Sequence, residues 1–304
     1  MLCGNYQFSC HFETEAILPG YKGSTFRGVF GHALKKTVCA LKLQECPSCI
    51  LKQQCLYAMV FETPDARNSK APAPPHPFVI EPPMTRQERY SPGDSFEFSL
   101  LLFGEVNQRL PYFIYAFDQV GKSGIGKRIG GKAGTFHLSQ VRYKDQVIYS
   151  DHDQILTMPD AVDDLTLQSS ETKTSTLTLT FLTPLRFKFD NRFVNQLPFH
   201  VLVRAMLRRI SSLMGSYGNG DPAMDYKGLV ERANGVRIAE STLRWFDWQR
   251  YSNRQDQAMQ MGGLIGSVTY QGKLDEYLPM IEFCSKVHLG KQTAFGLGKF
   301  EILC

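Results

Sequence analysis

Apolar and polar residues follow two different periods along this chain, and the order in which the periods change predicts its elements. Residues 5–12 alternate with period two, which is typical of a strand. Residues 24–42 place apolar side chains three and four apart, which is typical of a helix. The same reasoning predicts strands over 56–61 and 96–102, a helix over 110–120 and a strand over 135–143. The first half is therefore predicted to run β-α-β-β-α-β.

The second half repeats this order. A long alternating strand is predicted over 177–189, and a helix with one apolar stripe over 199–213. Strands over 236–249 and 264–270, a helix over 274–283 and a final strand over 295–303 complete the set. The order β-α-β-β-α-β defines the ferredoxin-like, or RRM-like, motif. The predicted fold class is therefore α+β, with two ferredoxin-like domains in tandem.

Two stretches depart from the periodic pattern. Residues 151–173 combine Asp, Ser and Thr with few large apolar side chains, which predicts an acidic linker between a domain over 1–150 and a domain over 174–304. An edge hairpin of the first domain is the alternative. Half of the 16 prolines lie between Pro64 and Pro92. Because proline lacks a backbone donor, this stretch predicts a long loop between the second and third strands of the first domain.

Composition narrows the class of protein. The chain has 304 residues, of which 43% are hydrophobic and 21% charged, as expected for a globular protein of two domains. No apolar run reaches the ~18 residues of a membrane span. The N-terminus alternates like a strand and lacks the pattern of a signal peptide, so we expect a cytoplasmic protein without membrane association. The formal net charge of +5 permits a polyanionic partner without requiring one.

The polar side of the first predicted helix carries the chemistry of most interest. Arg27, His32, Lys35 and Lys36 lie opposite its apolar stripe, and His32 and Lys36 are four residues apart. Lysines can stabilise added negative charge on a phosphate, and a histidine can protonate a leaving oxygen, so this group suits cleavage of an RNA strand. A solvated basic helix face with an incidental histidine is the alternative.

Two glycine-rich segments with basic side chains are candidates for phosphate binding. Residues 121–132 follow a predicted helix rather than a strand, which argues against a Rossmann fold. Residues 285–303 place glycines at a strand end, where a ligand backbone can approach or a tight turn can form. The candidate RNA-binding residues are Lys122, Lys127, Arg128 and Lys132 in the first segment, and Gly290, Lys291, Gly296, Gly298 and Lys299 in the second.

Four cysteines lie close together in the sequence. Cys39, Cys46, Cys49 and Cys55 have the spacing C-x6-C-x2-C-x5-C, with which four thiols can hold a structural zinc. A reduced cluster of structural thiols is the alternative, and an iron–sulfur centre is a third. A zinc ion here would shape the loop and take no part in chemistry.

Several segments together resemble one known family. The stretch 287–300, with VHLGKQTAFGLGKF, is similar to the glycine-rich loop that closes the CRISPR-associated repeat-RNA endoribonucleases of the RAMP superfamily. GSTFRGVFGHALKK resembles the first helix of many members, and ECPSCILKQQCLYAMVFETP resembles the cysteine-bearing segment that follows it in one branch of that family. FEFSLLLFGEVNQRLPYFIYAFDQVGKSGIGKRIGG is also similar to a segment of one branch. The resemblance covers both halves, in the right order.

The resemblance implies a function as well as a fold. The expected reaction is cleavage of CRISPR repeat RNA with no catalytic cofactor, in which the 2′-hydroxyl attacks the adjacent phosphate and leaves a 2′,3′-cyclic phosphate. Family members often use a histidine from the first helix, aided by tyrosine or lysine. His32 matches that place, with Tyr21 and Lys36, or Lys35, as helpers, and Arg27 joins Lys35 as an expected RNA contact. His288 in the closing loop is the second choice for proton transfer.

The sequence also bears on the partners of the protein and on three competing classes of function. The expected partners are precursor and mature guide RNA, together with other subunits of a CRISPR effector complex. A non-catalytic RNA-binding subunit of such a complex is the main alternative, because it needs the same basic surface. The chain lacks a GxxxxGK[ST] motif, which argues against a nucleotide-dependent enzyme. It also lacks the carboxylate cluster of a two-metal nuclease.

Overall fold

The computed structural model divides the chain into two compact units, Met1–Asp164 and Leu165–Cys304. It describes residues 1–42, 44–62, 74–168, 173–189, 192–193, 196–252, 257–260 and 262–303. Among these residues, no helix has the length and apolar character needed to cross a membrane. Part of the proline-rich stretch predicted as a loop, residues 63–73, lies outside the described residues.

Unit 1 is an antiparallel sheet with helices packed on it. Its elements are β1 Leu2–Phe12, β2 Ala16–Ile17, α1 Gly23–Val38, α2 Leu56–Phe61, β3 Phe78–Glu81, β4 Arg89–Tyr90, β5 Ser95–Phe103, α3 Leu110–Ser123, β6 Ile125–Ile129, β7 Lys132–Gly134, β8 Phe136–Tyr143, β9 Gln146–Ser150 and β10 Asp163–Asp164. The main sheet has the order β3-β5-β1-β8-β9, with β10 beside β1, and the pairs between these strands are antiparallel. The elements β1, α1, β3, β5, α3 and β8 thus form the ferredoxin-like motif.

One predicted strand of unit 1 is wrong. Leu56–Phe61 is a short helix, and the second strand of the motif is Phe78–Glu81 instead. Six consecutive apolar residues fit a buried strand or a short helix equally well, so periodicity could not decide between them. The prolines at 77, 82 and 83 flank the new strand rather than interrupt it, and it lies at the edge of the sheet, where proline is tolerated.

Aromatic rings fill the core between the sheet and the helices. Phe8 on β1 stacks on Phe98 of β5 at 4.7 Å between ring centroids. Phe117 of α3 lies 4.6 Å from Phe98 and 4.7 Å from Phe30 of α1, so this ring joins both helices to the sheet. Burying one such side chain contributes about 1.5–3 kcal/mol, which makes this cluster a large share of the stability of unit 1.

Unit 2 repeats the motif. Its elements are β11 Thr176–Leu185, β12 Lys188–Phe189, β13 Arg192–Phe193, α4 Phe199–Tyr217, α5 Tyr226–Ala233, β14 Arg237–Ser241, β15 Arg244–Phe246, β16 Gln249–Ser252, β17 Gln257–Gln260, β18 Gly263–Gln271, α6 Leu278–Val287 and β19 Phe300–Leu303. The sheet order is β14-β18-β11-β19, in which the motif's four strands stand in the same order as in unit 1. The predicted fold class, two ferredoxin-like domains in tandem, is confirmed. Helix α5 was not predicted.

Most of the predicted acidic linker belongs to unit 1. Its residues 163 and 164 pair with the first strand, where Cys3 faces Asp163. The N-terminal ammonium bonds the Asp164 carboxylate at 2.5 Å, and the Tyr143 hydroxyl accepts from the Asp163 N–H at 3.0 Å. Backbone pairing and these two contacts hold an acidic segment on the sheet although it has few apolar side chains. Residues 169–172 of the predicted linker lie outside the described residues.

Helix α2 packs against one side of α1 and limits the space at Gly31, but not at Gly28. A Cβ added at Gly31 would meet the Phe61 ring at 3.2 Å, which is closer than an ordinary van der Waals contact. A Cβ added at Gly28 would meet none of the described residues within 4 Å. Gly31 therefore serves close packing between the helices, whereas Gly28 lies on an exposed part of the same helix.

This difference predicts opposite behaviour of two alanine variants. Alanine is favoured over glycine inside a helix by about 1 kcal/mol. We expect Gly28→Ala to raise the free energy of unfolding by about 0.5–1 kcal/mol. Gly31→Ala should give no gain or a loss, because the Phe61 ring must move. Urea unfolding of both variants and the wild type measures this. An equal gain in both would mean that α2 does not pack on Gly31.

Candidate functional site

The polar side of α1 is divided into two surfaces. Arg27 and Lys35 lie one turn before and after Gly31, and both face aromatic rings of α2. The Arg27 guanidinium is 5.1 Å from the Phe61 ring centroid, and the Lys35 ammonium is 5.5 Å from that of Tyr57. Cation–π contacts of this kind favour the observed side-chain positions. Arg27 and Lys35 are thus turned toward the protein.

Arg27 also fixes the chain that leads into β3. Its Nη2 donates to Nε2 of His76 at 3.1 Å, and His76 Nδ1 bonds the Val60 carbonyl at 2.9 Å. Because the carbonyl accepts from Nδ1 and the guanidinium can only donate, this geometry requires a neutral His76 protonated on Nδ1. The structure therefore gives Arg27 a structural role. The predicted RNA contact by Arg27 has no support from this geometry.

Lys35 is drawn toward the cysteine segment. Desolvation by burial lowers the pKa of Lys35. The Cys46 thiol, which hydrogen-bonds to Lys35, and the Tyr57 phenol have a larger effect in the opposite direction, so the pKa of Lys35 is raised overall. Its ammonium is only half-buried and can still attract a polyanion at long range. Its immediate partners, however, are protein groups.

The opposite side of α1 is open. Gly28, His32 and Lys36 follow one another at intervals of four residues, and all three are exposed. We name this surface the 28/32/36 strip. Gly28 presents no side chain, so the helix backbone is accessible one turn before His32. The strip thus offers a histidine and a lysine as neighbours beside a place where another backbone can approach closely.

Tyr21 is not a neighbour of His32. It precedes α1, whose first residue lies nine positions before His32, a distance of roughly 14 Å along the helix axis. Desolvation, and next the Glu81 carboxylate, raise the pKa of Tyr21 well above its ordinary value. The phenol therefore stays protonated at neutral pH and cannot act as a base. The adjacent Lys22 is fully buried and donates to the Thr85 carbonyl at 2.7 Å, which fixes the start of α1.

The first glycine-rich segment is a basic hairpin. Strands β6 and β7 are joined at Gly130 and Gly131, which have φ angles of +56° and +85° that favour glycine. Lys127, Arg128 and Lys132 are exposed around this turn. Lys122 differs from them, because it lies in the last turn of α3 and pairs with Asp118 at 2.7 Å. The hairpin therefore presents three cations, which suits phosphate binding.

The second glycine-rich segment is largely internal to unit 2. Gly296 and Gly298 are buried and have φ angles of +80° and +77°, and a Cβ at Gly298 would overlap the Leu289 carbonyl. The Thr183 hydroxyl donates to the Gly296 carbonyl at 2.8 Å and accepts from the Lys299 N–H at 2.8 Å. These two glycines therefore form tight turns, which is the alternative to the predicted RNA contact. Gly290 is half-buried, Lys291 is exposed and Lys299 is half-buried, so these three positions reach the surface.

His288 lies in the core of unit 2. Its side chain has no exposed surface, and Nδ1 bonds the Leu297 carbonyl at 3.1 Å. Its own carbonyl accepts from Arg209 Nε at 3.1 Å. This geometry gives no support to His288 as a second proton donor, because its ring is buried and bonded to the backbone. A histidine in a glycine-rich stretch gave no sequence signal of its burial.

The four cysteines remain close in sequence, and all are half-buried free thiols. Across the part of the chain that the structure describes, which includes all four, no three His, Cys, Asp or Glu side chains are placed as a metal site requires. The prediction of a structural zinc therefore rests on the spacing alone.

Two family models match the chain, one in its N-terminal half and one in its C-terminal half. Residues 1–161 match the model of the AF_1859_N N-terminal domain. Residues 179–300 match the model of the CRISPR-associated endoribonuclease Cas6. A curated relative, an uncharacterized protein of Archaeoglobus fulgidus, is 24% identical over 291 residues, which are 94% of this chain and 92% of the relative.

Solved structures share the fold over the whole chain. A Cas6 product complex matches with a TM-score of 0.59 at 14% identity, over 99% of this chain and 100% of the other. Thermus thermophilus Cas6 matches with a TM-score of 0.56 at 13% identity, over 99% and 98%. A partial Cas6-RT-Cas1–Cas2 complex matches with a TM-score of 0.58 at 15% identity, over 99% of this chain and 46% of that one. The chain therefore belongs to the family defined by the AF_1859_N N-terminal domain, whose model matches more than half of it, and its C-terminal half is similar to the CRISPR-associated endoribonuclease Cas6.

Proposed function

We propose that this protein binds CRISPR repeat RNA and cuts it by attack of a ribose 2′-hydroxyl on the adjacent phosphate, with no catalytic metal. The observation that carries the proposal is the 28/32/36 strip, where a histidine and a lysine are exposed side by side on the first helix. The match of residues 179–300 to the model of the CRISPR-associated endoribonuclease Cas6 supports the RNA substrate.

Each group of the strip has a role in this reaction. The 2′ oxygen bonds to phosphorus as its proton passes to solvent, and the bond from phosphorus to the 5′ oxygen breaks. His32 donates a proton to that leaving oxygen, and Lys36 stabilises the charge that builds on the phosphate. The products are a 2′,3′-cyclic phosphate and a 5′-hydroxyl. Tyr21 and His288, which lie elsewhere, take no part.

Binding draws on surfaces beyond the strip. The exposed Lys127, Arg128 and Lys132 of the hairpin in unit 1 would neutralise phosphates, and the exposed Lys291 in unit 2 is a further candidate. Such contacts release counterions, so affinity should fall as salt rises. Lysine and arginine contacts to phosphate carry no sequence information, and recognition of the repeat must come from contacts to bases.

The role of His32 predicts a specific kinetic defect. General acid catalysis contributes about 10²–10⁴-fold, so His32→Ala should slow single-turnover cleavage of repeat RNA by roughly that factor. Affinity should change little, because Lys36 and the hairpin are unchanged. His152→Ala is the matched control, since His152 is exposed and bonds the neighbouring Asp153 at 2.9 Å. Equal rates in wild type and His32→Ala on bound RNA would remove His32 from the chemistry.

The identity of the nucleophile is tested by changing the RNA substrate rather than the protein. In EDTA, we expect wild-type protein to cut repeat RNA at one position and to leave a cyclic phosphate end. A single 2′-deoxy nucleotide before the cut should abolish cleavage and preserve binding, because only the nucleophile is missing. Normal cleavage of the deoxy substrate would exclude this mechanism. Tight binding without cleavage of the unmodified repeat would support the non-catalytic RNA-binding subunit.

A further inference from the structure

Helix α3 carries an exposed aromatic stripe that the proposed reaction does not use. Tyr112 and Tyr115 are 45% and 52% exposed on a helix whose other face builds the core. Gln119 and Lys122 continue the same line, at intervals of four and three residues, and the exposed Arg109 precedes it by three. We name Arg109, Tyr112, Tyr115, Gln119 and Lys122 the α3 stripe.

The α3 stripe is built from flat rings with cations at both ends. The Lys122 ammonium donates to the Asp118 carboxylate at 2.7 Å, and this hydrogen bond, with smaller contributions from Tyr115 and Tyr149, raises the pKa of Lys122. Tyr149, on the neighbouring strand β9, is half-buried. The side chains of the stripe are aromatic, amide or cationic, and none is aliphatic.

Such a surface suits unpaired nucleic-acid bases. Every base has a flat face that stacks on an aromatic ring, and ammonium or guanidinium groups beside the rings attract the phosphates between bases. Two tyrosines three residues apart are separated by about 4.5 Å along the helix axis, so successive bases of an extended strand can each meet one ring. The basic hairpin begins two residues after α3 ends and continues the cationic surface.

We infer that the α3 stripe binds single-stranded RNA, with unpaired bases stacked on Tyr112 and Tyr115 and phosphates beside Arg109 and Lys122. The inference rests on the proposed function, because the RNA is the substrate or product of the same protein. It adds a second contact region, on a different helix from the 28/32/36 strip, that holds an unpaired part of the RNA and leaves the chemistry to α1.

The inference is tested by fluorescence with a short single-stranded RNA that carries 2-aminopurine, since stacking on a ring quenches this base. The His32→Ala protein is used throughout, so that no RNA is cut. Tyr112→Leu and Tyr115→Leu keep apolar bulk but remove the flat ring, and we expect each to weaken binding by roughly 5- to 100-fold and to reduce quenching. Tyr112→Phe and Tyr115→Phe keep the ring and should retain both signals.

A salt titration separates stacking from phosphate contacts. The leucine variants should lower affinity without changing the slope of log affinity against log salt, whereas Lys122→Ala should make that slope shallower by about one unit. Unchanged affinity and quenching in both leucine variants would overturn the inference and leave a protein partner as the occupant of the stripe. Failure of the parent protein to bind any RNA would overturn the proposed function as well, which distinguishes the two failures.

Discussion

The contact between Phe61 and Gly31 determines which part of α1 can meet a substrate. It holds α2 against one side of the helix. On that side, the aromatic rings of α2 make cation–π contacts with Arg27 and Lys35, so these two cations are turned toward the protein. A second side, with Phe30 and Leu34, is buried in the core. Among the residues that the structure describes, the side with Gly28, His32 and Lys36 is the one left exposed. Two packed sides of one helix thus leave a narrow exposed strip for chemistry.

The two units use one topology for different purposes. In unit 2, the buried Arg209 donates to the Val287 and His288 carbonyls at 2.7 and 3.1 Å, at the C-terminal end of α6. A cation at this end of a helix is favoured by the helix dipole, and the two bonds satisfy carbonyls that the helix leaves without partners. The cation and the histidine of unit 2 therefore stabilise its glycine-rich loop. In unit 1, by contrast, a histidine and a cation, His32 and Lys36, lie on the exposed 28/32/36 strip.

Much of this fold was predictable because its elements have clear periodicity. The stripe from Phe26 to Leu34 predicted α1, and the alternation along β5 predicted a strand at 96–102. The run from Leu56 to Phe61 carried no such signal, and its helical state follows from packing on Gly31. The site was harder to predict. Arg27 and His76 lie 49 positions apart, and the burial of His288 depends on Leu297 and Arg209, so the sequence alone could not separate these residues from His32.

The claim that His32 is the proton donor is tested most directly by changing the leaving group. In a repeat RNA with sulfur in place of the scissile 5′ oxygen, the leaving thiolate is a weak base and needs no proton from the enzyme. Single-turnover rates of wild type and His32→Ala on this substrate are the measurement. The account predicts nearly equal rates here, although the variant remains about 10²–10⁴-fold slower on ordinary RNA. A variant that is equally slow on both substrates would contradict it.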